Sequence, residues 1–218
     1  MGKIFHMDGP LFRGLNKVAD ALLLTLLLWV SAVTVVGFGI GLTAAFTVVF
    51  KLQDETDHGV FRDFFTGIRR NVKQALLIWL LLAVIGVVLF WDWQLVPYLL
   101  DGQLLAIVRY LLMVAGLLWA MELLYVFPLL ARFDNTTGQT MKNALLMSIR
   151  YFPYTVGLLA LAALPFILLV LVPQSTGMIL FFILMLWPGT WVMLHAKVMQ
   201  HLLKPFMPKQ EENEEDKE

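Results

Sequence analysis

Two ionisable side chains, Glu122 and His195, sit inside long apolar stretches of the chain. A carboxyl and an imidazole are common proton carriers in catalysis and transport. An ionisable group in a membrane span normally faces the bundle interior and has a partner. Two readings follow. In one, Glu122 and His195 work on a proton or a substrate. In the other, a neighbouring hydroxyl, Trp or His satisfies the Glu122 carboxylate, which then holds two helices in register. A single carboxylate without a second acid or a metal-ligand set favours the structural role. The other histidines, His6, His58 and His201, lack metal-site spacing. There is no cysteine, so thiol and disulfide chemistry are excluded. Gly37-Phe38-Gly39-Ile40-Gly41 is not a phosphate loop, since it follows no strand and lies at membrane depth. The residues predict neither an enzyme nor a metal or cofactor.

The elements that must position these groups are membrane spans. Hydrophobic residues make up 60 % of the 218 positions and charged residues 15 %. A soluble domain of this size could not bury so much apolar surface. The formal net charge is zero, so nothing points to nucleic acid. A spanning helix needs about 20 apolar residues. Five segments qualify, at about 21–50, 75–95, 104–131, 153–172 and 178–200. Backbone groups cannot go unpaired in hydrocarbon, and no barrel-type alternation is present, so the fold class is an all-α membrane bundle. Residues 1–208 form one multi-pass domain, and 209–218 form an acidic tail whose composition predicts disorder. Some twenty fairly polar residues precede the first apolar run, which is far longer than a cleavable signal requires. It reads as a retained anchor.

Lys and Arg set the topology. Residues 51–74 hold Lys51, Arg62, Arg69, Arg70 and Lys73, and residues 132–154 hold Arg132, Lys142 and Arg150. The connections at 92–103 and 173–177 hold none. The basic segments and the C-terminus are therefore expected in the cytoplasm of a bacterial cell. Five spans would put the N-terminus outside, yet it carries Lys3, Arg13 and Lys17. Either the first segment crosses once as a tilted or kinked span, which is the favoured reading, or it bends back at its glycines as a re-entrant hairpin.

The longer basic connections have an apolar face at helical spacing. Val60, Phe61, Phe64, Phe65, Ile68 and Val72 form one face, with Arg62, Asp63, Arg69, Arg70 and Lys73 off it. Met141, Ala144, Leu145, Ile149 and Phe152 form the other, with Lys142, Asn143 and Arg150 elsewhere. Both fit amphipathic helices lying in the interface and feeding the next span. The stretch from Phe64 to Arg69 aligns with that from Leu145 to Arg150. The pattern fits two parallel copies of an interfacial helix plus a hairpin, as it fits any two such hairpins.

Gly37, Gly41 and Ala45 make a row of small residues at four-residue spacing. Such a row lets helix backbones approach closely, for internal packing by default or for self-association. Trp91, Trp93 and Tyr98 suit an interfacial anchor. Pro128, Pro165 and Pro188 mark kinks. The sequon Asn135-Thr136-Thr137 falls on the inner side and is discounted.

With these pieces placed, the chain resembles the YesL (DUF624) family of bacterial membrane proteins. The resemblance rests on Leu15-Asn16-Lys17-Val18-Ala19-Asp20, on Thr34-Val35-Val36-Gly37 with Ala44-Ala45, and most on Val60-Phe61-Arg62-Asp63-Phe64-Phe65 followed by Asn71-Val72-Lys73-Gln74-Ala75. Tyr125-Val126-Phe127-Pro128-Leu129-Leu130-Ala131-Arg132-Phe133 also fits. It runs from about residue 8 to about residue 205. What it implies is a link to carbohydrate-uptake ABC transporters, whose genes often lie beside those of the family. It brings no established activity and no functional residues. The expectation is an accessory or regulatory subunit, with a small oligomeric transporter or channel as the alternative.

Overall fold

A computed structural model describes residues 10–207. The acidic tail and Lys3 lie outside the described residues. The chain forms α1 (Pro10–Val33), α2 (Gly37–Gln53), α3 (Val60–Leu99), α4 (Gly102–Arg132), α5 (Thr137–Arg150), α6 (Phe152–Leu171), α7 (Thr176–Met185) and α8 (Trp187–Leu203). Short 3-10 turns follow α6 and α8. It is an all-α membrane protein. Four helices are long and apolar enough to cross a bilayer: α1, α3, α4 and α6. The α7–α8 pair, bent by 59°, makes a fifth crossing if it is one broken span. The bend falls at Leu186, beside Pro188, which removes a backbone donor from the first turn of α8.

The first apolar segment departs from the favoured single span. It is broken at Thr34–Val36, and α2 runs back along α1. Gly37 and Gly41 both lie against Ser31, and Lys17 and Ala21 share a groove with Val49 and Gln53. The local cause is a run of β-branched residues, Val33 to Val36, which are weak helix formers. The Gly37 amide closes the turn on the Thr34 carbonyl at 2.6 Å. The hairpin is short. Seventeen residues of α2 rise about 25 Å, less than the roughly 30 Å hydrocarbon core. The Trp79 indole, halfway along α3, donates to the Val35 carbonyl at 2.7 Å. The turn residues 33–36 are exposed on the bundle surface, and a backbone carbonyl facing hydrocarbon needs such a partner.

α2 is the centre of the bundle and touches α1, α3, α4 and α8. Phe46, Phe50, Tyr125, Phe127, Ile78, Met199 and Leu203 are buried around it. On α3 no side chain beyond Leu82 is buried, and on α4 none before Met121. The outer halves of these two helices contact one another and present Leu, Val, Phe and Trp outward, as lipid-facing helices do.

The first amphipathic stretch is not a separate helix. Residues 60–73 are the opening turns of the 40-residue α3. α5 is separate and carries a capping box: Thr136 and Gln139 satisfy each other's backbone amides. The difference is Pro153. It has no amide to donate to the Ile149 carbonyl and its ring crowds that carbonyl, so the helix breaks at Tyr151 and restarts as α6, whereas Val72 stands at the aligned position of α3. The break is sealed by a relay. Tyr125 and Thr155 hydroxyls lie 2.8 Å apart, and Thr155 donates to the Ser148 carbonyl at 2.7 Å.

Candidate functional site

Two regions gather polar chemistry, one inside the bundle and one at its basic end. In the interior, α4 supplies Glu122 and α8 supplies His195, both buried. The structure does not pair them within 4 Å. The His195 ring stands edge-on to Phe46 at 5.1 Å and to Trp191 at 4.8 Å between centroids. The Trp191 Nε1 and the Glu122 Oε1 are buried without a hydrogen-bond partner among the described residues, and the His195 nitrogens lack one of good geometry there, with the Leu124 backbone of α4 facing the ring. Orphaned buried polar atoms cost stability and are rare in native proteins. The arrangement can hold a proton or a polar ligand. It lacks a nucleophile–base pair, and among the described residues no three His, Asp or Glu side chains are grouped to hold a metal.

The expected partners of Glu122, a hydroxyl, Trp or His, are not bonded to its Oε1. The buried threonine hydroxyls of α1 and α2 are engaged within their own helices. Thr43 and Thr47 donate to the carbonyls of Gly39 and Thr43 within α2, and Thr25 donates to Ala21.

At the basic end, three ion pairs and a hydrogen bond tie α2, α3, α4 and α8 together. Lys51 at the end of α2 meets Asp63 of α3 at 2.6 Å, and the His58 amide donates to the other Asp63 oxygen at 2.8 Å. Asp54 receives Arg132 of α4 and, at 2.9 Å, the Gln200 amide of α8. Arg132 also lies over the Phe50 ring. Arg70 donates three guanidinium hydrogen bonds to Asp134 and holds its carboxyl below the usual carboxylate range. That pair is exposed and adds little to stability. Asp63 was expected off the apolar face with its basic neighbours; it is 2 % exposed. Sequence reasoning missed it because its cation comes from another helix.

Arg62, Arg69 and Arg150 point outward and have no ion-pair partner among the described residues. Exposed apolar side chains accompany them: Phe61 and Phe65 on α3, Leu146 and Ile149 on α5. Arg150 lies over the rings of Tyr151 and Phe206. Alternating arginine and apolar side chains suit the headgroup layer of a bilayer.

The small-residue row is used inside the chain. Gly37 and Gly41 admit Ser31, and Ala45 is fully buried. Two further close contacts carried no signal of spacing. A Cβ on Gly67 would meet Ala44 and Thr47 of α2, and one on Gly189 would collide with the Ala21 carbonyl of α1.

Comparison with known proteins places this architecture. The family model described as "Protein of unknown function, DUF624" matches residues 22–93, from α1 to the outer half of α3. The chain is similar to the uncharacterized protein YteU of Bacillus subtilis (strain 168), with 34 % identity over 164 residues, covering 72 % of this chain and 71 % of that protein. No solved structure matches. The basic segment at the start of α3 lies within the family match, and on these grounds the chain belongs to the DUF624, or YesL, family of membrane proteins.

Proposed function

We propose that the chain is an accessory or regulatory membrane subunit linked to a carbohydrate-uptake ABC transporter. It would lie in the bacterial cell membrane with its basic end and C-terminus in the cytoplasm. The observation that carries this reading is the cross-linked basic end. Lys51–Asp63, Asp54–Arg132 and Arg70–Asp134 fix the ends of α2, α3 and α4 and the link to α5 against one another, leaving Arg62, Arg69 and Arg150 pointing outward as a preorganised surface. Lys and Arg mark the cytoplasmic side of membrane proteins. The sugar-uptake assignment rests on the family resemblance alone. Cross-linking in native membranes, followed by purification and identification of what is captured, tests it. Transporter subunits in the captured material, together with impaired sugar uptake in a deletion strain, are expected. Recovery of the chain alone with uptake unchanged overturns the reading.

The unpartnered polar atoms of Glu122, His195 and Trp191 favour a second reading, a small oligomeric transporter or channel. Reconstitution into liposomes with sugars or ions, comparing wild type with Glu122→Gln, separates the two. No flux above that of empty vesicles removes the transporter reading.

A further inference from the structure

A groove of about 720 Å³ runs between α1, α2 and α8. Val49 of α2 and Ala21 of α1 are buried at its base, while Val18 and Leu194 at its edges are 49 % and 43 % exposed. The groove therefore opens sideways, past apolar side chains, in the direction a bilayer would lie. Its polar lining is mixed in sign. Lys17 and Lys197 bring two ammonium groups, Asp20 a carboxylate, and Gln53 and Gln200 two amides.

None of the three charged groups has an ion-pair partner among the described residues. The Gln200 amide is spent on Asp54. The Gln53 Oε1 is different: it is buried and accepts no hydrogen bond among the described residues. An orphaned acceptor and an unpaired carboxylate on one groove call for a donor, and ideally a cationic one. Two unpaired ammonium groups on the same groove call for an anion.

We propose that this groove binds the headgroup of an ethanolamine phospholipid, with the first part of its acyl chains along Leu186 and Met193. Lys17 and Lys197 take the phosphate. Asp20 and the Gln53 Oε1 accept from the ethanolamine ammonium, which has three N–H donors. A choline headgroup carries the same charges but no N–H donor, and it leaves the Gln53 oxygen unpaired. A glycerol headgroup offers hydroxyl donors but no cation for Asp20. The groove thereby discriminates among headgroups by hydrogen bonding rather than by net charge, the stronger basis for specificity in a buried site.

Native mass spectrometry of the full chain in mild detergent, with ethanolamine, choline or glycerol phospholipids of matched acyl chains, tests this. The ethanolamine lipid is expected to form a one-to-one adduct, retained about tenfold more than the choline lipid, as the loss of one charge-assisted contact implies. Lys17→Ala/Lys197→Ala should lose adducts of all three lipids. Asp20→Asn should lower the ethanolamine lipid toward the choline level while keeping the phosphate contact. Equal retention of ethanolamine and choline lipids by the wild type overturns the proposal. So does preferential retention of the glycerol lipid, or full retention by the double lysine variant. Should that variant fail to fold, the headgroup comparison in the wild type and in Asp20→Asn decides the matter.

Discussion

The Gly189 amide donates to the Thr25 hydroxyl at 2.9 Å, and the Ala21 carbonyl fills the space that a Cβ at position 189 would need. This contact locks α1 against the first turn of α8, where the amide has no partner within its own helix. Gly189→Ala must separate the two backbones. It is expected to cost about 1–3 kcal/mol, as overpacking does, and to lower the melting temperature in detergent by several degrees. Thr25→Val keeps the volume and removes only the hydroxyl. Its cost should be nearer 1 kcal/mol, in line with hydrogen bonds measured within membranes. Thermal unfolding of both variants checks the order; equal effects would mean the close approach is relaxed in solution.

Asp63 is a buried carboxylate whose ion-pair partner among the described residues is Lys51. Lys51→Met strands it, at an expected cost of about 3 kcal/mol. Adding Asp63→Asn to that variant should restore most of the loss, because an amide needs no counter-charge. A double-mutant cycle on the melting temperature reads this coupling directly. Additive effects would show that the pair is solvated.

The chain has no cysteine, so single cysteines report sidedness without background. Asn16→Cys, Asp57→Cys and Asn143→Cys are expected to react with an impermeant maleimide from one side of the membrane. Gln103→Cys and Gln174→Cys should react from the other. All five positions are exposed. A single crossing by the first apolar segment would instead put Asn16 opposite Asp57.

That hairpin marks the limit of what was legible in the chain. The apolar lengths and the Lys and Arg clusters reveal the helices and the basic end, because both follow from transfer from water to hydrocarbon. Thr136 and Gln139 announce the start of α5 through local hydrogen bonding. The turn at Thr34–Val36 carries no charge and no proline, and it is stable because Trp79, forty-four residues away, bonds the Val35 carbonyl. Asp63 likewise looks like one more surface charge until α2 brings Lys51 beside it. Among the interior candidates, Glu122 and His195 were visible as types. Their lack of a mutual bond was not, since it depends on how α4 and α8 pack around α2.

Glu122 sets the sharpest test of role. A carboxyl kept only for packing should be worse than an apolar residue when one of its oxygens has no partner. Glu122→Leu is therefore expected to leave the melting temperature unchanged or raise it by a few degrees, while Glu122→Gln leaves it near wild type. If Glu122 serves transport or coupling, Glu122→Leu keeps the fold and loses that function, the usual trade between stability and work. A large drop in melting temperature on Glu122→Leu would return the residue to a purely structural role.

α3 runs for 40 residues with its one internal proline, Pro97, close to the far end. At 1.5 Å per residue it is a stiff rod of about 60 Å. Its first turns carry the outward arginines, its midpoint holds the α1–α2 turn through Trp79, and its last turns stand clear of the other helices except α4. A rod pivoting at its middle is a lever. A tilt of about 5° imposed at the basic end would carry the opposite tip roughly 2–3 Å the other way. With no proline between Arg62 and Pro97, such a tilt would be carried along the rod from the basic end to the opposite tip.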